Sequence, residues 1–462
     1  MKNKSQGMYI LAISLISALG GFLFGYDWVV IGGAKPFYEQ FFHIADIPHL
    51  QGWAVSCALI GCILGTLISG ALSDRYGRKK LLIFSALLFL ISAIGTGAAN
   101  TFTPFILYRI LGGIGIGLAS NLSPMYIAEI SPANVRGKFV SLNQLTIVIG
   151  ILAAQIANWF IADGMDNEIT GAEILNSWNG TMGWRWMFWA EGIPAVLFFG
   201  MMWFVPESPR WLARRHKHDK VNQILTKIGG VDYAANAILE IESSMKNEGD
   251  KVSFSSLFRP GVVGVVVLGI VLAAFQQWCG INVIFMYADE IFTAAGYNVS
   301  DMLFNVIIIG TVNLLFTLLA MFTVDKVGRK KLMLIGSAGL AVIYSVLGTF
   351  YYLGIQGWPL LVLVVLSIAC YASTLAPITW VVLSEIFPNR IRGVSMAVAT
   401  FSLWTASMLL TFFFPIINNA IEASGSFWLF AILCFGGFIF IKNKLVETKG
   451  KSLEEIEKEL VN

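Results

Sequence analysis

The sequence predicts an all-α membrane protein of twelve transmembrane helices arranged as two six-helix bundles, and three observations predict it. Hydrophobic residues fill 56% of the 462 positions and charged residues only 13%, about half the usual charged share of soluble domains. Apolar stretches of the roughly 20 residues needed to cross a bilayer recur along the whole chain. The polar motifs between them come in matched pairs, one copy in each half. A water-soluble fold of this length could not cover its surface with so few charges.

The first six stretches run at about 8–32, 52–73, 80–99, 104–127, 138–162 and 185–205. After a polar segment, six more follow at about 261–287, 302–324, 331–353, 358–384, 393–419 and 425–442. Only helices suit them, because the runs are too long for barrel strands and lack period-two alternation. The expected plan is a bundle over 1–205, a linker over 206–260, a second bundle over 261–445 and a tail over 446–462. In the linker, Val221, Ile224, Leu225 and Ile228 fall at helical spacing among polar residues, which predicts short amphipathic helices. In the tail, Ser452-Leu-Glu-Glu455 reads as a capping box ahead of Ile456 and Leu460. Met1 to Gly7 is short and basic with no small-residue cleavage site beyond it, so the first span is expected to be retained.

Orientation follows from the cations. Lys2, Lys4, Arg75, Arg78, Lys79, Lys80, Arg136, Lys138, Lys326, Arg329, Lys330, Lys331, Arg390 and Arg392 fall on one side of this plan. The other side offers little beyond Lys35 and Arg185. Both termini and the linker are therefore expected in the cytoplasm. A net charge of +3 spread over such loops leaves no basic face for nucleic acid. The five cysteines all lie inside apolar runs and read as small buried hydrophobes.

Leu72-Ser-Asp-Arg-Tyr-Gly-Arg-Lys-Lys80 follows the second stretch, and Val324-Asp-Lys-Val-Gly-Arg-Lys-Lys331 follows the eighth. Tyr126-Ile-Ala-Glu-Ile-Ser-Pro-Ala-Asn-Val-Arg-Gly137 is echoed by Leu383-Ser-Glu-Ile-Phe-Pro-Asn-Arg-Ile-Arg-Gly393. Matched motifs at matched positions mean parallel duplication, with a binding site expected between the halves. Asp74 and Asp325 have no topological use, since orientation counts cations. They suit a conformational latch, pairing in one state with an arginine, Arg78 and Arg329 being in the same motifs, or with a helix N-terminus. Glu129 with Arg136, and Glu385 with Arg392, suggest the same device.

Three charges fall inside spans: Asp27 in the first, Arg109 in the fourth and Glu191 in the sixth. Each costs about 2.5–3.5 kcal/mol or more at mid-bilayer, so each needs a reason. Two readings fit. One acid is in excess, so a proton could be held or released as Arg109 changes partner. Alternatively the three form a static bridge between helices. Gln276, Gln277 and Asn282 interrupt the seventh stretch around Gly280, which permits local unwinding. Amides offer both donor and acceptor and suit an uncharged polyhydroxyl. Gln144 in the fifth stretch could join them, and Trp380 and Trp404 offer flat faces for a sugar ring. Catalytic triad, phosphate loop and metal-ligand spacing are missing from the sequence, which argues against an enzyme.

With these motifs in place, the chain resembles the sugar-porter branch of the major facilitator superfamily, in particular its bacterial pentose–proton symporters. Gly25-Tyr26-Asp27, both Asp-x-x-Gly-Arg-Lys-Lys loops and Arg136-Gly137 with Arg392-Gly393 carry the likeness. So do Pro206-Glu207-Ser208-Pro209-Arg210, the segment from Gln276 to Asn282, and Glu447-Thr448-Lys449-Gly450. The resemblance implies the major facilitator fold and proton-coupled uptake of a pentose or hexose, with no cofactor beyond the proton as co-substrate. It implies sugar contacts from Gln144, Gln276, Gln277, Asn282 and Trp380, bounded by Phe24 and Trp404. It makes Asp27 the coupling acid with Arg109 and Glu191 beside it, and adds Glu207 and Arg210 to the latches. A monomer in a bacterial inner membrane is the family expectation; facilitative uniport and a non-transporting sugar receptor are the rivals. Met286, Leu403 and Ile151 depart from the family pattern at positions where relatives carry polar side chains, which argues for a changed sugar preference.

Overall fold

The computed structural model describes residues 4–133, 135–162, 172–247, 254–259, 262–388, 391–451 and 453–461. Among the described residues there is no strand. The first half contains α1 (Lys4–Phe41), α2 (Pro48–Tyr76), α3 (Arg78–Ala98), α4 (Phe102–Ile130), α5 (Arg136–Ile161), the short α6 (Ala172–Asn176) and α7 (Trp184–Met202). The linker forms α8 (Pro209–Arg214), α9 (His218–Gly229) and α10 (Val231–Asn247). In the second half follow α11 (Val262–Trp278), α12 (Ile281–Met286), α13 (Ala288–Ala294), α14 (Val299–Val327) and α15 (Arg329–Tyr352). Then come α16 (Trp358–Ser373), α17 (Leu375–Ile386), α18 (Arg392–Lys444) and the tail helix α19 (Leu453–Val461).

Among the described residues, ten helical segments are long and apolar enough to cross a membrane. One of them, α18, holds 53 residues and has a single non-helical residue inside, Glu422 at φ 59°, ψ 176°. It is two spans joined at that kink, where the sequence places a short gap. The 19-residue α7, with Arg185 and Glu191 among its residues, supplies the remaining span and brings the number to the twelve expected.

Two spans are discontinuous. The seventh breaks between α11 and α12 at Gly280, whose φ of +86° suits a residue without a Cβ. The tenth breaks at Thr374, between α16 and α17. Pro377 then sits in the first turn of α17, where a backbone N–H would have no intrahelical acceptor, so its absence costs the helix no bond. The first span is longer than expected, continuing as helix through Lys35 and Glu39 to Phe41.

The helix α9 buries Val221, Leu225 and Ile228 on one stripe, as the spacing predicts. In α19 it is Ile456 that is buried; Ser452 of the expected capping box lies outside the described residues.

The chain forms two compact units. The first gathers Met1–Asp27, Ile60–Ile151 and Phe188–Lys251; the second gathers Trp28–Leu59, Leu152–Met187 and Val252–Asn462. Phe89, Phe105, Tyr126 and Phe198 are fully buried in the first, and Phe37, Tyr287, Phe292 and Tyr344 in the second. Ile193 and Phe204 in the first, with Phe322 and Ile432 in the second, are broadly exposed. Large apolar side chains on helix exteriors suit hydrocarbon rather than water.

Candidate functional site

In the first unit, Asp27, Arg109 and Glu191 come from α1, α4 and α7, and none is more than 2% exposed. Arg109 Nη1 donates to Asp27 Oδ1 in a close ion pair. The guanidinium also lies over the Phe188 ring, 5.6 Å from its centre, which partly compensates its burial. Glu191 stands close enough to feel both partners' charges. Among the described residues, Asp27 Oδ2 and Glu191 Oε1 have no hydrogen-bond partner. The set can therefore accept a proton at either acid without first breaking a hydrogen bond at that oxygen. Phe24, partly buried, and Gln144, exposed, belong to this unit as well.

In the second unit the three amides form one hydrogen-bonded chain across the α11–α12 break. Asn282 Nδ2 donates to Gln277 Oε1 at 2.5 Å, Gln277 Nε2 donates to Gln276 Oε1, and Gln276 Nε2 donates to Tyr371 Oη at 2.7 Å. Tyr371 was not singled out from the sequence; its place on α16 opposite the amides is a tertiary fact with no local signature. Trp404 is buried and stacks at a tilt on Trp28, ring centres 5.7 Å apart. Trp380 leaves over a third of its surface open.

The paired loop motifs build two matching networks. In the first unit, Arg78 Nη2 donates to Glu129 Oε1 at 3.1 Å, and Arg78 lies 3.5 Å from Asp74. Glu129 also accepts from Ser208 Oγ. Glu207 Oε1 accepts the backbone N–H groups of Arg78 and Lys79 at 3.0 and 3.1 Å, capping α3. The second unit repeats this: Arg329 Nη2 donates to Glu385 Oε1 at 3.2 Å, and Thr448 Oγ1 donates to Glu385 Oε2 at 2.5 Å. Glu447 accepts the backbone N–H groups of Arg329 and Lys330 at 2.8 and 3.1 Å, capping α15. A carboxylate at a helix N-terminus satisfies donors that the helix leaves free and complements its dipole.

These pairings differ from the sequence expectation. Glu129 and Glu385 take Arg78 and Arg329, not Arg136 and Arg392. Gly77 at φ +94° and Gly328 at φ +107° turn the chain so that the next residue, an arginine, opens a helix and reaches the acid. Arg392 instead donates to the carbonyl of Phe387. Arg210 is exposed, and the side chain of Asp325 lies outside the described residues. Glu447 and Thr448 entered the sequence reading only as a family motif. Their likeness to Glu207-Ser208 is the signal that could have placed them.

A family model described as Sugar (and other) transporter matches residues 13–460. The chain belongs to this sugar (and other) transporter family. Similar members include the D-xylose-proton symporter of Escherichia coli (strain K12), 40% identical with 99% of this chain and 97% of that one covered. The arabinose-proton symporter of Bacillus subtilis (strain 168) is also 40% identical, over 99% and 96%. Among solved structures, the inward open conformation of the xylose transporter XylE from E. coli matches with a TM-score of 0.85 at 39% identity, covering 98% of this chain and all of that one. The fold of this transporter is that of the major facilitator superfamily, as in its structural relatives.

Proposed function

We propose that the protein imports a monosaccharide together with a proton by alternating access. The observation that carries this reading is the buried set of one guanidinium and two carboxylates, with an unpartnered oxygen on each acid. Protonation of Asp27 releases Arg109, which then turns to Glu191; deprotonation reverses the exchange. Sugar hydroxyls exchange with the amide chain of Gln276, Gln277 and Asn282, while Gln144, Trp380, Trp404 and Phe24 complete the pocket. The kinship with D-xylose-proton and arabinose-proton symporters supports both substrates. Leu403 and Ile151 in place of amides favour a sugar other than xylose, each lost hydrogen bond being worth roughly 1–3 kcal/mol. Six-helix bundles over 1–205 and 261–445 rock about this site, while the Arg78 and Arg329 networks open and close at the cytoplasmic ends. The protein works as a monomer in the bilayer of a bacterial inner membrane, with both termini in the cytoplasm.

Each inward proton gains about 2.3 kcal/mol per 100 mV of membrane potential. The test is uptake of labelled pentoses and hexoses into proteoliposomes with and without an inward proton gradient. Wild type is expected to accumulate one sugar only with the gradient, and Asp27→Asn to lose accumulation while retaining counterflow. Simple equilibration that ignores the gradient would make the protein a uniporter.

A further inference from the structure

Lys35 entered the sequence reading as a stray outward cation, but the structure buries it to 1% exposure amid three carboxylates. Its Nζ lies 2.9 Å from Asp289 Oδ2, 2.9 Å from Glu290 Oε1 and 3.2 Å from Glu39 Oε1. Its ammonium also sits 5.3 Å from the centre of the Tyr287 ring. The acids are held in turn. Gln51 Nε2 on α2 donates to Glu39 Oε2 at 3.1 Å, and Asn418 Nδ2 on α18 donates to Glu290 Oε2 at 3.1 Å. Ser426 stands behind Asn418 at 3.1 Å. The titratable groups facing Lys35 are Tyr38 and Glu39 from α1, Asp289 and Glu290 from α13, and Tyr287 just before α13. All of these residues belong to the second unit.

One ammonium cannot neutralise three carboxylates. Fully ionised, the cluster would hold two excess negative charges in a place where no member's side chain is more than 20% exposed. Like charges that close and that dry disfavour joint ionisation. Asp289 Oδ1 accepts no hydrogen bond from the described residues, so an acidic proton has an oxygen free to receive it. Burial pushes the Glu290 carboxyl above the ordinary range, against the pull of Lys35 and with the push of Asp289.

We infer that the Lys35, Glu39, Asp289 and Glu290 cluster is a second proton-binding site, separate from Asp27, and that it closes the outer end of the transporter when protonated. The inference rests on the alternating access and topology proposed above. When α1 and α13 part, the carboxylates regain water and release the proton. When they meet, the excess charge draws one in. Linkage makes the two events reciprocal, so an acidic exterior favours the closed outer end.

The test places spin labels on Asp46→Cys and Thr293→Cys, both exposed, in protein reconstituted into nanodiscs, and follows their separation from pH 8 to pH 5. The short-distance fraction is expected to rise as pH falls, by up to tenfold in the closed-to-open ratio per pH unit for one proton. The rise should persist in Asp27→Asn, which separates this site from the coupling acid. It should flatten in Asp289→Asn with Glu290→Gln, with the short distance dominant throughout. Lys35→Met should lower the short-distance fraction at every pH. A flat response in the labelled parent, or an unchanged response in the double variant, would overturn the inference. Loss of the response in Asp27→Asn would assign the proton to Asp27 and overturn it too. The proposed symport stands or falls on sugar accumulation, a separate readout.

Discussion

The Arg78 and Arg329 networks use the same parts in the same order, yet they differ in how deeply those parts are set. Arg78 and Glu129 have side chains 7% and 11% exposed, against 14% and 22% for Arg329 and Glu385. The capping acids diverge further. Burial pushes the Glu207 carboxyl above the ordinary range, and its backbone donors on Ser208, Lys79 and Arg78 do not offset that push. Burial pushes Glu447 the same way but more weakly, and the donors on Lys449 and Arg329 pull it below the ordinary range. Duplication has copied the hydrogen bonds and not the solvent exposure. Two networks of one design should therefore answer differently to mutation and to pH.

Removing the arginine should split them most. Arg78→Met leaves Glu129 charged, buried and without its cation, a loss of about 3–5 kcal/mol. Arg329→Met leaves a wetter acid and should cost about half as much or less, read as a smaller drop in thermal unfolding midpoint. Equal drops would show that depth does not distinguish the two.

Gly77→Ala and Gly328→Ala come next. Each forces a Cβ into positive φ, at about 1–2 kcal/mol. At Gly77 the new carbon would also meet Glu207 Oε2 at 2.2 Å, against 2.8 Å from Glu447 at Gly328. The midpoint should fall further for Gly77→Ala.

Acidification should give the smallest and most diagnostic effect. A raised Glu207 means that the assembled first network binds its proton more readily than the separated one. Its stability then grows as pH falls through the raised value toward the ordinary one, about 4.3. A lowered Glu447 contributes stability that is complete above about 4.3 and is lost as pH falls through its lowered value. Amide exchange at the first turns of α3 and α15, corrected for intrinsic rate, should show α3 gaining protection between pH 7 and pH 5 while α15 stays level. Parallel changes would break the contrast.

The span pattern was legible because hydrocarbon enforces a simple rule, about 20 apolar residues in a helix with every backbone group paired. The interruption at Gly280 was legible for the same reason, since an amide-rich segment with a glycine has few other uses inside a span. The extension of α1 to Phe41 was not. Lys35 and Glu39 look like a loop in sequence; Lys35 is tolerable within a helix because Asp289 and Glu290, more than 250 residues away, pair with it, and Glu39 because Lys35 and Gln51 do. The ion-pair register failed similarly. Glu129 and Arg136 are near neighbours along the chain, but the turn at Gly77 brings a more distant arginine closer. Proximity in sequence is a poor guide where a tight turn redirects a long side chain.

The amide chain from Asn282 to Tyr371 has a consequence for the half of the cycle in which nothing is carried. A symporter must travel back unloaded, and any polar group stranded in a dry centre would cost about 1–3 kcal/mol on that journey. Gln276, Gln277 and Asn282 can satisfy one another, as their hydrogen bonds across the α11–α12 break show. At the sugar site proposed above, a docking hydroxyl would trade places with a neighbouring amide, so part of its binding energy would be spent on breaking an amide–amide bond. On that proposal the same residues would also reset the carrier, by bonding to one another once the cargo has left.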